Sequence, residues 1–379
     1  MNFIYVIEKL KQSKSKKMNK KLFRNCVNTL TPYKITATDV WSNNNDFLKL
    51  DWNESTIPPS NNVLDAIYDV IKTNRLHWYP PYLNTPLLES IANYCKVEVD
   101  NIQYFAGSDS LHEYIIQACI EPNDSVVIVT PTYDNFRAVV SSFGGKIYKY
   151  ELDEPFNYDI EDLISYIKSV NPKLVYICNP NNPTGTIYSY NDLEYLIKEI
   201  SNSLIIIDEA YYEFSGITLA SLVGSCNNFI VTRTFSKAFG LASFRIGYGI
   251  AHHSIINTLN KIRNPKSVSL FAQFAAHKAL EDISYVKNYV KNVEKSKIII
   301  RSFFDNYRIK YFVGGGNYIL VNSNGLGHEK LLLFLNENNI LVRDLGHIQS
   351  LQNYIRITLG LEENTLKVVS VFEKFINNK

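Results

Sequence analysis

From about residue 60 the chain alternates amphipathic stretches of helical period with short, nearly unbroken apolar runs. The runs at 125–130, 146–150, 173–178, 204–208, 228–232 and 245–251 predict strands. The stretches at 61–72, 87–94, 108–120, 133–142 and 191–199 predict helices. Strands with apolar residues at successive positions are buried on both faces. The alternation therefore predicts an α/β fold with a mainly parallel central sheet flanked by helices. After Pro265 comes a mostly helical stretch to residue 308, then short strands at 310–312, 318–321, 340–343 and 354–358. This second pattern predicts a smaller α+β domain, to which the segment around 30–50 returns. The expected divisions are a basic tail at 1–27, an N-terminal segment at 28–58 packing with the small domain, a large domain at 59–265 and a small C-terminal domain at 266–379.

Composition narrows the function classes. A chain of 379 residues, 46% hydrophobic and 20% charged, can bury a core large enough for two lobes. Its formal net charge is +2 and its basic residues gather only near the N-terminus, so nucleic acid is not an expected partner. The five cysteines (Cys26, Cys95, Cys119, Cys178 and Cys226) lack metal-type spacing and suit a reducing cytoplasm; no metal site is expected. No apolar run approaches the ~18 residues of a membrane span. Near the N-terminus an apolar stretch, 3–7, precedes a lysine series at 9–21, the reverse of the order in a signal peptide. The expectation is a solvated tail, with Met18 as a natural start and residues 1–17 dispensable.

The chemistry centres on Lys237, in Thr-Phe-Ser-Lys-Ala-Phe-Gly just beyond the apolar run at 228–231. An amine held at the end of a core strand is desolvated, which lowers its pKa and makes it a nucleophile toward an aldehyde. Thr234, Ser236 and Arg245 nearby are groups suited to a phosphate. A Schiff-base lysine beside a phosphate site suggests pyridoxal 5′-phosphate. Asn182, in Asn-Pro-Thr-Gly, and Asp208, in Asp-Glu-Ala-Tyr, each follow a predicted strand, and ligands in such sheets sit beyond the strands' carboxyl ends. A plain turn at 182–185 and a helix cap at Asp208 are equally compatible with either motif alone. Gly107, Ser108 and Asp109 open a predicted helix whose free amides favour an anion, although simple capping accounts for the same residues. Arg356 and Arg343 each stand in a short apolar strand, where an unpaired charge is costly. Arg343 and Asp344 face opposite sides of their strand, so they do not pair. The two arginines, in separate strands, are expected to supply two anion sites.

In these motifs and their order the chain resembles the fold-type I pyridoxal-phosphate enzymes, most closely the histidinol-phosphate aminotransferase family, over nearly its whole length. The resemblance implies that Lys237 carries the cofactor and that Asp208 pairs with its pyridinium nitrogen. Tyr211 and Asn182 would donate to its phenolic oxygen, and Tyr133 would stack on the ring, although core packing is a rival reading for Tyr133. Gly107, Ser108, Asp109, Ser236 and Arg245 would hold the cofactor phosphate. Arg356 would clamp a substrate carboxylate and Arg343 a substrate phosphate. Tyr79 would reach the cofactor phosphate of a partner subunit, which implies a homodimer with shared active sites. One departure stands out. Asn53-Glu-Ser55 carries serine where the family has a bulkier residue, which is expected to reshape the substrate pocket.

The implied activity is transamination of a small phosphorylated amine or amino acid, or of its keto partner, against a donor such as glutamate. An O-phospho-amino-acid decarboxylase on the same scaffold is the alternative, and a non-catalytic binding protein a more distant one. Abundant Asn, Lys and Ile point to an AT-rich bacterial genome.

Overall fold

The structure, a computed structural model, describes residues 22–33 and 47–378. The basic series at 9–21 and the proposed start at Met18 lie outside them, as does most of 30–47. The strands are β1 (Leu48–Leu50), β2 (Ile102–Phe105), β3 (Ser125–Thr130), β4 (Lys146–Glu151), β5 (Leu174–Cys178), β6 (Leu204–Asp208), β7 (Phe229–Thr234), β8 (Gly247–Ala251), β9 (Tyr311–Val313), β10 (Tyr318–Asn322), β11 (Ile340–Asp344) and β12 (Tyr354–Thr358).

Seven of these strands form one sheet in the order β2-β8-β7-β6-β5-β3-β4. Neighbours from β7 to β4 are parallel, and β8 runs antiparallel between β7 and β2. Side chains alternate across the sheet, so each strand feeds two cores. Val127, Val175, Ile205 and Val231 join the core on one face. Val126, Ile128, Leu174, Ile206 and Ile230 join the other, beneath the helices Gly107–Cys119 and Asp134–Phe143. This two-sided burial explains why the strands read as unbroken apolar runs. Edge strand β4 carries Lys146 and Lys149 on an open, half-exposed surface, which discourages pairing with another chain.

The smaller sheet has the order β1-β11-β12-β10-β9. β1 pairs parallel with β11, which brings the chain just ahead of Asp51 into this second unit, while the remaining pairs are antiparallel. Several elements differ from the sequence pattern. β2 was not expected: Gln103 interrupts its apolar side chains, although all four residues are buried. The helix Ile160–Val170 was not expected either, although Leu163, Ile164 and Ile167 recur at helical spacing; Asp159 caps its start, accepting from the amides of Glu161 and Asp162. The helical stretch after Pro265 is broken at Asp282 into Leu270–Glu281 and Ile283–Asn306. β8 begins at Gly247 rather than 245 because Arg245 takes a left-handed φ of 51°.

At one point between the two sheets backbone meets backbone directly. Gly185, at φ +80°, presses its carbonyl against Gly314, where an added Cβ would overlap that oxygen. The amide of Gly315 donates to the same carbonyl at 3.2 Å, and Lys297 Nζ donates to Gly314 O at 2.9 Å. Gly314→Ala should therefore cost about 1–3 kcal/mol, the usual penalty of overpacking. Urea unfolding would show this as a lower midpoint at unchanged slope. An unaltered midpoint would mean that this contact gives way freely.

Candidate active site

Parallel register aligns Cys178, Asp208 and Thr232 at the carboxyl ends of β5, β6 and β7. A cavity of about 510 Å³ opens there, walled on its far side by Arg343 and Arg356 of the small sheet. Asp208, 3% exposed, forms part of its floor. Its Oδ2 accepts from the Tyr176 hydroxyl at 2.7 Å, and its Oδ1 from Thr232 Oγ1 at 3.3 Å and the Ala210 amide at 3.2 Å. His112, from the helix 107–119, stands behind this group with Nε2 3.8 Å from Asp208 Oδ2.

Lys237 lines the same cavity. Its Nζ donates to the Trp52 carbonyl at 2.8 Å and lies 5.9 Å from the centre of the Tyr211 ring. Burial, followed by the positive field of Arg356, brings its pKa down from 10.5 to about 8. Tyr211 is buried, and its hydroxyl accepts from Asn53 Nδ2 at 2.9 Å. Burial pushes that phenol's pKa up. Asn53 lies behind Tyr211 rather than on the cavity wall. It holds a left-handed φ of 55°, and its amide donates to Thr358 Oγ1 at 3.0 Å. Asn182 lines the cavity and accepts from Arg356 Nη1 at 2.5 Å.

An anion cradle closes the other end. The helix 107–119 starts without a side-chain cap, so its first amides remain available. Gly107 has φ +88°, and a Cβ there would stand 2.8 Å from Arg245 Nη2. Only glycine admits this approach. Arg245 Nη1 donates to Ser236 Oγ at 3.3 Å, and Thr234 Oγ1 donates to the same oxygen at 2.9 Å. Asp109 accepts from Tyr133 OH at 3.0 Å and from Arg245 Nη2 at 3.4 Å, while Ser108 and Tyr133 line the cavity. Burial and Asp109 together raise the Tyr133 pKa.

At the substrate end the register sets Arg343 directly opposite Arg356 on β11 and β12. Directly paired residues share a face, so the two guanidinium groups stand side by side on one wall. The two arginines expected in separate strands thus share one wall of the cavity. Arg356 is 7% exposed; its Nη2 donates to Asp51 O at 2.6 Å, but its buried Nε has no partner among the described residues. Burial pulls its pKa down. Arg343 Nη2 donates to the Tyr33 hydroxyl at 3.3 Å. Asp344 turns away and meets His328 instead.

Besides Asn53, two sequence candidates stand off the wall. Ser55 closes a local turn, donating to Ile57 O at 3.0 Å and accepting from the Ile57 amide, so the departure at this position does not shape the cavity directly. Its neighbours Trp52 and Glu54 line the cavity instead. Tyr79 is 77% exposed, with Lys266 Nζ 4.2 Å from its ring centre. Tyr33, Trp52, Glu54, Tyr176, Thr232 and His112 were not anticipated. His112 left a trace in the sequence, standing one helical turn after Ser108 and so on the same stripe, and Trp52 and Glu54 flank the candidate Asn53. Tyr176 and Thr232 depend on pairing between strands far apart in the chain.

Residues 45–371 match the model of the family described as aminotransferase class I and II. The chain is 40% identical to a dihydroxyacetone phosphate transaminase of Campylobacter jejuni, over 92% of this chain and 96% of that one. It is 33% identical to a histidinol-phosphate aminotransferase of a Thermoanaerobacter species, over 82% and 88%. In fold it is similar to the crystal structure of histidinol-phosphate aminotransferase from Sinorhizobium meliloti in complex with pyridoxal-5′-phosphate. The TM-score is 0.85 at 24% identity, covering 94% of this chain and 98% of the other.

The depressed pKa has a direct readout. Only the neutral amine attacks an aldehyde, so borohydride trapping of a small aldehyde on Lys237 should rise with a midpoint near pH 8. Removing the nearby guanidinium in Arg356→Gln should move that midpoint upward. Peptide mass analysis across a pH series measures both. A midpoint near 10.5 in the parent protein would contradict the burial of this amine.

Proposed function

The chain belongs to the class I and II aminotransferases, and we propose that it transfers an amino group between a donor such as glutamate and a small phosphorylated carbonyl compound of the dihydroxyacetone phosphate type. The observation that carries this reading is the Arg343–Arg356 pair on one wall of the cavity. Like charges set opposite one another repel. One phosphate dianion offsets that repulsion, since its oxygens can engage two forks at once. The two carboxylates of glutamate match the same pair in the other half-reaction. Decarboxylation is not favoured, because the related proteins named above are aminotransferases.

The cofactor is pyridoxal 5′-phosphate, and the residues present fit it. The cradle at Gly107, Ser108, Asp109, Ser236 and Arg245 suits its phosphate, and the close packing of Gly107 on Arg245 leaves the helix amides clear. Asp208 is assigned to the ring nitrogen, Tyr133 to the ring face, and Tyr211 and Asn182 to the phenolic oxygen. When bound, the cofactor supplies an aldehyde for the amine and a ring that draws electrons from the carbon bearing it. Lys237 Nζ, partly neutral near pH 8, takes and returns the proton at that substrate carbon. Asp208 holds a fixed negative charge against the ring. Arg343 and Arg356 orient the substrate through its distal anion, with Trp52 and Glu54 bounding the space between.

The same proposal includes a homodimer. Trp78, Tyr79 and Tyr82 are 61%, 77% and 69% exposed in a single subunit, an apolar stretch suited to a partner. Tyr79 would complete the partner's phosphate cradle. A cytoplasmic location is consistent with five free cysteines. Among the described residues no helix is long and apolar enough to cross a membrane.

Incubating the protein with cofactor, glutamate and dihydroxyacetone phosphate should yield 2-oxoglutarate and a phosphorylated amine in equal amounts. Carbon dioxide from a phospho-amino acid without keto product would point to the decarboxylase instead. In Arg343→Ala, losing one charge-assisted contact of about 1.5–3 kcal/mol should raise KM for the phosphorylated substrate roughly tenfold to two-hundredfold. The dephosphorylated analogue should barely notice the change, and equal losses on both would make Arg343 structural. Mixed subunits test the shared site. Lys237→Ala and Tyr79→Ala should each be inactive or weak alone, and should regain activity when exchanged into one dimer. No recovery despite exchange would exclude a crossing Tyr79.

A further inference from the structure

His112 is a polar side chain that the reading above does not use. It is 2% exposed, and its ring is held edge-on against Phe136 and Tyr176, at centroid distances of 5.5 and 5.7 Å. An aliphatic residue could occupy such a helix face without the cost of desolvating an imidazole. What the imidazole meets there is Thr232, whose Oγ1 lies 3.0 Å from His112 Nε2. The threonine's single hydroxyl proton points to Asp208 Oδ1, so its oxygen is free to accept, and Nε2 carries the donated proton.

We propose that His112, acting through Thr232, is a positioning residue for Asp208, holding the carboxylate aimed so that it receives the N–H of the cofactor's ring nitrogen. The proposal rests on the assignment of Asp208 to that nitrogen. The geometry supports it by a count of acceptor sites. Oδ1 receives Thr232 and the Ala210 amide, which uses both of its lone pairs. Oδ2 receives Tyr176 and keeps one lone pair open. His112 Nε2, at 3.8 Å, is too far to fill it, so that lone pair is left for the cavity. Side-chain donors on both oxygens prevent rotation of the carboxylate, since turning would break both contacts. The same two contacts keep the open lone pair of Oδ2 aimed into the cavity, where a ring N–H would be received.

The test reads the bound cofactor rather than turnover. A protonated ring lowers the proton affinity of the nitrogen that joins the cofactor to Lys237. Weaker support of Asp208 should therefore raise the pH midpoint of the visible absorption band. His112→Leu and the near-isosteric Thr232→Val should each raise it by roughly 0.5 unit. They should also weaken pyridoxal phosphate binding about two- to tenfold, the scale of one neutral hydrogen bond. His112→Gln, whose amide can reach the same oxygen, should restore both values. The double variant should be no worse than Thr232→Val alone. The other groups facing these two centres are unchanged in every variant: Tyr176, Cys178, Tyr211 and Tyr318 around Asp208, and Arg356, Glu54, Asp109 and Arg245 around Lys237. Urea midpoints report any general loosening separately. A normal spectrum and affinity in the Leu and Val variants, or a Gln variant no better than Leu, overturns the role of His112. Asp208→Asn separates the two levels. If it shifts the midpoint while His112→Leu does not, only the His112 role falls; if it does not, the assignment of Asp208 falls and takes the proposal with it.

Discussion

Arg233 is 1% exposed, and the placement of the catalytic groups depends on how its charge is satisfied. Its Nε and Nη2 both donate to Glu209 Oε2, at 3.0 and 2.8 Å, and Nη2 also reaches Thr218 at 2.6 Å. The guanidinium lies 3.5 Å from the centre of the Tyr212 ring. Removing one partner of such a pair typically costs about 3–5 kcal/mol, because the survivor stays buried and uncompensated. Adjacent strand residues point to opposite faces, so the pair on one side of β6 and β7 holds Asp208 and Thr232 on the other. The ion pair itself touches no substrate. It fixes the relative height of two strand ends, one bearing the carboxylate and the other leading three residues later to Lys237.

Much of this was legible in the chain. β3 and β6 fall at their predicted limits because strands buried on both faces leave little but apolar residues. Lys237, Asp208 and Asn182 could be read because each follows such a run directly, and the direction of a parallel strand says which end carries the ligand. What escaped was whatever depends on register. Nothing local in Ile340–Asp344 or Tyr354–Thr358 says that Arg343 will stand beside Arg356 on one wall. Tyr176 likewise looked like an ordinary strand tyrosine until β5 was aligned with β6. Ser55 misled for a different reason. A short hydroxyl satisfies itself within its own turn, so the residue type at that position says little about the cavity.

The charges in the cavity are graded rather than uniform. The floor is anionic at Asp208, the far wall cationic at Arg343 and Arg356, and Lys237 lies between them with its proton loosely held. The Arg356 guanidinium proposed to hold the substrate also helps keep that amine neutral, so in this reading binding and proton transfer are electrostatically linked through one side chain.

The division of labour between the two sheets has a further consequence. The groups proposed to hold the cofactor come from the seven-stranded sheet and its connections, and the guanidinium pair comes from the five-stranded one, across a boundary where backbones touch at Gly185 and Gly314. A ligand that spans the cavity therefore ties one body to the other. Attraction at its distal anion, remote from the bond being changed, can draw the two bodies together and be spent on aligning the reacting carbon. In such an arrangement the phosphate acts as a handle. A substrate lacking it loses speed as well as grip.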